Sequence, residues 1–191
     1  MSAFDANVTS APNGGYRINI PTDTAVVMFG TVTANWKQSV RAAFQHDGTQ
    51  PGESMNDVYY TFEGSGQGLM SIGPIALPSV VPARTPVLAE ETEDQMRVPE
   101  PITGPDSTND GTSVTIRPSN RPRHLTLKFE ADRPGAQAGT VASKVTWKKN
   151  KVTNYAIYFT FYTEDGGDGD NHDSTFTVNM VLAKKPRVAG K

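Results

Sequence analysis

In two runs of this chain, at 155–163 and 174–182, apolar and polar side chains alternate one for one, a period that no helix can use. Tyr155, Ile157, Phe159 and Phe161 share one phase of the first run, and Phe176, Val178, Met180 and Leu182 share one phase of the second. A strand turns successive side chains to opposite faces, whereas an amphipathic helix needs an apolar residue at every third or fourth position. Leu125, Leu127 and Phe129 repeat the pattern, with Thr126, Lys128 and Glu130 in the other phase. Further strands are read at 16–20, 25–33, 39–45, 58–63, 69–75, 113–117, 124–130 and 140–147, with turn residues between them. One buried and one wet face per strand is the mark of antiparallel sheets stacked in two layers. The expected fold class is therefore all-β, an antiparallel β-sandwich of jelly-roll type. A length of 191 residues suits one domain, and an apolar content of 36% suits a thin core with much polar surface.

The alternation breaks between 74 and 112. Seven of the chain's 14 prolines lie there, with Glu90, Glu91, Glu93 and Asp94 among them. Proline removes a ladder donor and fixes φ, so this stretch reads as an insertion or arm within the single domain. Two readings fit it: a mobile surface excursion, and an arm that contacts a neighbouring subunit.

Composition narrows the function classes. There is no Cys, which rules out disulfides and thiolate metal sites, and the net charge of −2 argues against a general nucleic-acid binder. Half of the 18 basic residues fall between Arg117 and Lys151, but the segment 148–154, Lys-Lys-Asn-Lys-Val-Thr-Asn, reads as a solvated hairpin tip. The first residues, Met1-Ser2-Ala3-Phe4-Asp5, lack a basic stretch followed by an apolar one. The expectation is cytoplasmic synthesis without a signal peptide, with any release by a route that needs none. No run reaches the roughly 20 apolar residues of a membrane helix, so membrane insertion is not expected. No phosphate loop, nucleophile elbow or HExxH pattern occurs, and with three His and no Cys the chain reads as a non-enzyme.

One segment carries chemistry. Residues 164–173, Glu-Asp-Gly-Gly-Asp-Gly-Asp-Asn-His-Asp, place five carboxylates, an amide and an imidazole between two strands. Such crowded like charges need an offset, either from water and salt around a solvated turn or from a bound cation. Ca²⁺ takes about six to eight oxygens from carboxylates, amides and carbonyls, and this loop offers all three kinds. Gly166, Gly167 and Gly169 would let the backbone turn tightly. Zn²⁺ fits less well, because His172 is the only nitrogen ligand nearby.

From Tyr162 to Met180 the sequence YTEDGGDGDNHDSTFTVNM resembles the C-terminal segment of the small calcium-dependent galactose-binding bacterial lectins of the PA-IL type. There a calcium loop precedes a last strand of the form S-F-S-V-N-I, matched here by Thr175-Phe176-Thr177-Val178-Asn179-Met180. The likeness covers about 25 residues, and the rest of the chain only by strand pattern. It implies metal ligation by Glu164, by the carbonyl of Asp168 and by Asn171. His172 replaces a second ligand Asn, a departure for which Asp165 and Asp173 are placed to compensate. A further carbonyl would come from an early loop, best matched by Thr33-Ala34-Asn35-Trp36, which brings in Asn35. The implied activity is binding without turnover: two vicinal hydroxyls of a galactose-type sugar complete the Ca²⁺ shell and bond Glu164 and Asn171. His46 and Gln50 fall roughly where the family has its other sugar contacts, and Trp36 is either a stacking platform or partly buried core. A single sugar site binds weakly, so a homo-oligomer is expected. Two other readings of the residues stand beside this one: an assembly subunit that uses the proline-rich arm, and a β-rich toxin or defence subunit.

Overall fold

The computed structural model describes residues 4–12, 14–48, 58–73, 107–135, 138–165 and 173–183. The strands are β1 (Val8–Ala11), β2 (Gly15–Ile20), β3 (Thr24–Val32), β4 (Lys37–His46), β5 (Val58–Gly64), β6 (Gly68–Leu69) and β7 (Ser71–Ile72). After these come β8 (Ser107–Asn109), β9 (Ser113–Ile116), β10 (Arg123–Arg133), β11 (Gly139–Ala142), β12 (Lys144–Thr153), β13 (Ala156–Glu164) and β14 (Ser174–Leu182). Every pairing is antiparallel. One sheet runs β1-β2-β10-β4-β5-β7, with β11 continuing the β2 edge of β10, and the other runs β12-β13-β14-β3-β9-β8, with β6 on β3. The protein is an all-β chain of two antiparallel sheets.

Alternation decides what lies between them. Leu125, Leu127 and Phe129 of β10, Val40, Ala42 and Phe44 of β4, Ile157, Phe159 and Phe161 of β13 and Phe176, Val178 and Met180 of β14 are all buried in one core. Rings meet across the layers: Phe62 and Phe176 at 4.9 Å, Phe129 and Phe161 at 5.3 Å, Tyr16 and Phe161 at 5.6 Å between centroids. Gly30 of β3 lies opposite Phe176, and the room its missing side chain leaves is filled by the fully buried Met70. The chain changes sheets at that methionine, since β6 belongs to one sheet and β7 to the other, and Met70 N–H donates to the Gly30 carbonyl at 2.9 Å.

Several boundaries differ from the sequence reading. The run 69–75 is two short strands hinged on Met70. The run 140–147 is broken at Ser143, so β11 joins one sheet and β12 the other. Lys148 to Thr153, read as a hairpin tip, continue β12 as an edge strand, because the turn itself falls at Asn154 and Tyr155. Strand β1 carried no clear alternation and was not anticipated. Of the proline-rich stretch, 74–106 lie outside the described residues, and its far end forms β8 on β9.

The sandwich has two distinct ends. Strand β4 starts at Lys37 beside Asp132 and finishes at His46 beside Arg123. At the latter end Arg123, wholly buried, reaches across the layers and donates to the carbonyls of Thr24 and Arg117, each at 2.9 Å, with its guanidinium 4.8 Å from the Phe44 ring. The base of the hairpin between β13 and β14 lies at the other end, where Asp165 meets Gln38.

Removing the ring of Phe176 should lower the unfolding free energy by about 3–5 kcal/mol, the usual loss for a buried Phe→Ala. In Gly30→Ala the new Cβ would meet Met70 Sδ at 2.5 Å and Phe176 Cδ2 at 3.1 Å, and such overpacking costs about 1–3 kcal/mol. Urea titration of the two variants measures both losses.

Candidate functional site

The base of the acidic hairpin is built by register. Thr163 pairs with Ser174 across β13 and β14, and their hydroxyls, both buried, bond at 2.6 Å. The next residues outward are therefore forced together: Asp173 N–H donates to Thr163 O at 3.2 Å, and Asp165 N–H donates to Asp173 Oδ2 at 2.6 Å. The chain leaving β3 comes to the same place. Thr33 N–H and Ala34 N–H both donate to the Asp173 carbonyl, at 3.0 and 3.2 Å, so Asn35 and Trp36 adjoin the hairpin. Asn35 is exposed. Trp36 is half-buried with the Arg133 guanidinium 5.6 Å from its ring, so one face of the indole is already covered.

The inner wall is Gln38, a residue the sequence reading passed over. It is 1% exposed, and its Nε2 donates to Asp165 Oδ2. Among the described residues its other amide atom, the carbonyl Oε1, is buried without a hydrogen-bond partner. A buried acceptor left unmade costs about 1–3 kcal/mol, so this oxygen is an unmet demand for a donor or a cation. A signal for it did exist. Gln38 is in phase with Val40, Ala42 and Phe44, so the alternation puts an amide on the core-facing side of β4.

Charge is concentrated beside that oxygen. Glu164, the last residue of β13, is 5% exposed. Among the described residues neither Asp165 nor Asp173 has an ion-pair partner. Burial pushes the Asp165 carboxyl up to about 6; the Asp173 charge adds to the rise and the Gln38 amide opposes it. A carboxyl with so high a value wants a proton or a metal ion. Among the described residues the ligand atoms in reach are oxygens, which fits a hard cation such as Ca²⁺ better than a soft one. Among the described residues no three His, Asp or Glu side chains already converge as a metal cage. Asp168, Asn171 and His172, expected to supply ligands, lie outside the described residues, as does Gln50.

His46 needs correcting. It ends β4, eight residues from Gln38, which at the rise of an extended strand is roughly 27 Å. It is 5% exposed and belongs to the Arg123 end of the sandwich. Extended backbone carries it away from the acidic hairpin, so His46 cannot share a ligand with that site. Asp47 is held there too, by Arg17 at 3.1 Å and by His124 Nδ1 at 2.7 Å.

The Asp165 carboxyl gives the hairpin a pH signature. Its value of about 6 lies above the ordinary 3.8, so the folded state holds the proton more tightly than the unfolded state. Below pH 4 both states are protonated and the group contributes nothing. Between about 4 and 6 only the folded state keeps the proton, so stability should drop as pH rises through that window. Without metal, Asp165→Asn should abolish that part of the slope and raise the neutral-pH melting temperature, as thermal melts from pH 3.5 to 7.5 would record.

Comparison with protein-family profiles finds no match, and comparison with curated proteins finds none. Similar solved structures exist. A lectin of Chromobacterium violaceum in complex with alpha-methyl-fucoside is 13% identical, with a TM-score of 0.43, over 85% of this chain and 93% of that one. The C-terminal domain of a Burkholderia cenocepacia lectin is 11% identical, with a TM-score of 0.43, over 91% of this chain and 97% of that one. A high-affinity mannose-binding lectin of Ralstonia solanacearum is 13% identical, with a TM-score of 0.43, over 85% and 93%.

Proposed function

We propose that the chain is a calcium-dependent carbohydrate-binding protein, a lectin, with its sugar site at the acidic hairpin. The observation that carries this reading is the buried Gln38 carbonyl, without a hydrogen-bond partner among the described residues, set against the protonation-prone Asp165 and its neighbour Asp173. Gln38 Oε1, Asp165 and Asp173 would hold the ion, with Glu164, Asp168 and Asn171 supplying the further oxygens that the lectin resemblance implies. When bound, Ca²⁺ would offset the crowded carboxylates and offer open coordination positions to two vicinal sugar hydroxyls. The protein's own part is to fix donors. The Thr163–Ser174 pair sets the hairpin base, Asp173 is anchored by its carbonyl to Thr33 and Ala34, and Gln38 is locked by packing inside β4.

Selectivity among sugars would come from groups around the ring, with Asn35 and the uncovered face of Trp36 the described candidates on the early-loop side. A galactose-type sugar is the first choice. Weak single sites favour an assembly of several copies. No bond is broken in this scheme.

Calcium that binds only the folded state must stabilise it, by about 2.7 kcal/mol at one hundred times the dissociation constant. The melting temperature should therefore climb with calcium, and the climb should shrink in Gln38→Leu and in Asp173→Asn. Retention on galactose, mannose and fucose resins, each with and without EDTA, reads the sugar. A melting temperature indifferent to calcium would sink the metal site, and retention unchanged by EDTA would sink the mechanism.

A further inference from the structure

The wet face of the β4 sheet carries a feature that the calcium hairpin does not use. Arg41 of β4 and Lys128 of β10 are directly opposite each other across the strand pair. Like charges in that position repel, and sheets ordinarily avoid them. Beneath them lies a single carboxylate, Glu130, which is 8% exposed. Lys128 Nζ is 2.7 Å from Glu130 Oε1, and Arg41 Nε is 3.1 Å from Oε2, off the hydrogen-bond direction. Two cations thus share one anion, which leaves a surplus positive charge fixed in place. Of the other acids that line this face, Glu63 is paired with Lys37 at 2.8 Å, and Asp132, charged and accepting from Thr140 at 2.8 Å, lies opposite Lys37 at the far end of the strand pair.

This pair opens into a groove of about 650 Å³ between β5, β4 and β10, a volume in the range of small-molecule sites. From Ser39 to Ala43 the floor runs roughly 14 Å along the strand. Ala43 faces Tyr59 on one side and Thr126 on the other, so its small side chain leaves a flat shelf beside an aromatic ring. The Tyr59 hydroxyl accepts from Gln45 Nε2 at 3.2 Å, which holds that ring in position. Ser39, Thr61 and Thr126 add hydroxyls along the walls.

We propose that this groove binds an acidic oligosaccharide, with a sugar carboxylate seated on Arg41 and Lys128 and the ring lying over Ala43 against Tyr59. A carboxylate there restores two anions to two cations, and a guanidinium accepts it in a geometry no neutral sugar can match. A flat shelf walled by hydroxyls suits a pyranose ring better than peptide side chains, which need deeper pockets. The site needs no metal and stands apart from the hairpin.

Affinity electrophoresis of the intact protein in EDTA tests it, in native gels cast with polygalacturonate, hyaluronate, neutral dextran or poly-glutamate. Retardation by the two uronate polymers alone is expected, weakening with salt. Arg41→Gln and Lys128→Gln should each raise the dissociation constant at least about tenfold, the worth of one charge-assisted contact. Ala43→Phe should do the same with every charge intact, and a melting curve checks that each variant is folded. Absence of retardation in EDTA overturns the proposal. So does equal retardation by poly-glutamate or dextran, or a folded Ala43→Phe variant that binds as well as the parent. None of these results bears on the calcium hairpin, which EDTA has already emptied.

Discussion

Phe129 packs against Phe161 at 5.3 Å and Phe176 at 6.2 Å, and the contact between these three rings couples the two sheets. Phe129 belongs to β10, which pairs with β2, β4 and β11. Phe161 and Phe176 lie opposite each other on β13 and β14, which carry the acidic hairpin. Each ring removes a large apolar area from water, and edge-to-face geometry adds to that burial. Because the rings fix how β13 and β14 lie over β4, they also fix where Asp165 meets Gln38. The hairpin chemistry is thus a consequence of aromatic packing deeper in the sandwich.

Both ends of the sandwich bury polar groups. At one end Arg123 is sealed in the core, and its charge is met by two backbone carbonyls and the Phe44 ring. At the other end Gln38 is sealed just as deeply; among the described residues its carbonyl has no hydrogen-bond partner, and burial drives the carboxyl beside it toward its protonated form.

Much of this architecture could be read from the residues. The alternation in β10, β13 and β14 named Phe129, Phe159, Phe161 and Phe176 as core-facing rings, because a period of two leaves no choice of face, whereas Tyr155, read in the same phase, falls in the turn before β13 and is exposed. The acidic segment was visible through its density of carboxylates, and the segment Thr33 to Trp36 only through what the lectin resemblance implies. The break at Ser143 was not legible, since Val141, Val145 and Trp147 keep one phase across it and only sheet membership separates β11 from β12. The role of Met70 was hidden as well, because a methionine beside two short strands gives no sign that it fills the space left by Gly30. His46 misled for a related reason. Its rough match to the family's sugar contacts says nothing of which end of a strand it occupies, and extended backbone carries it to the Arg123 end.

The sequence by itself determined the class of structure and the face each strand turns inward, because side-chain direction along a strand is a local property of the backbone. It also determined that negative charge would gather at one hairpin. Only the tertiary structure decided what that charge would meet. Gln38 and Asp165 stand 127 residues apart in the chain, and Arg41 and Lys128 come together only through the register of β4 on β10. Such pairings depend on which strands become neighbours and in what offset. That choice is made by the packing of the whole core and is not written in any one segment.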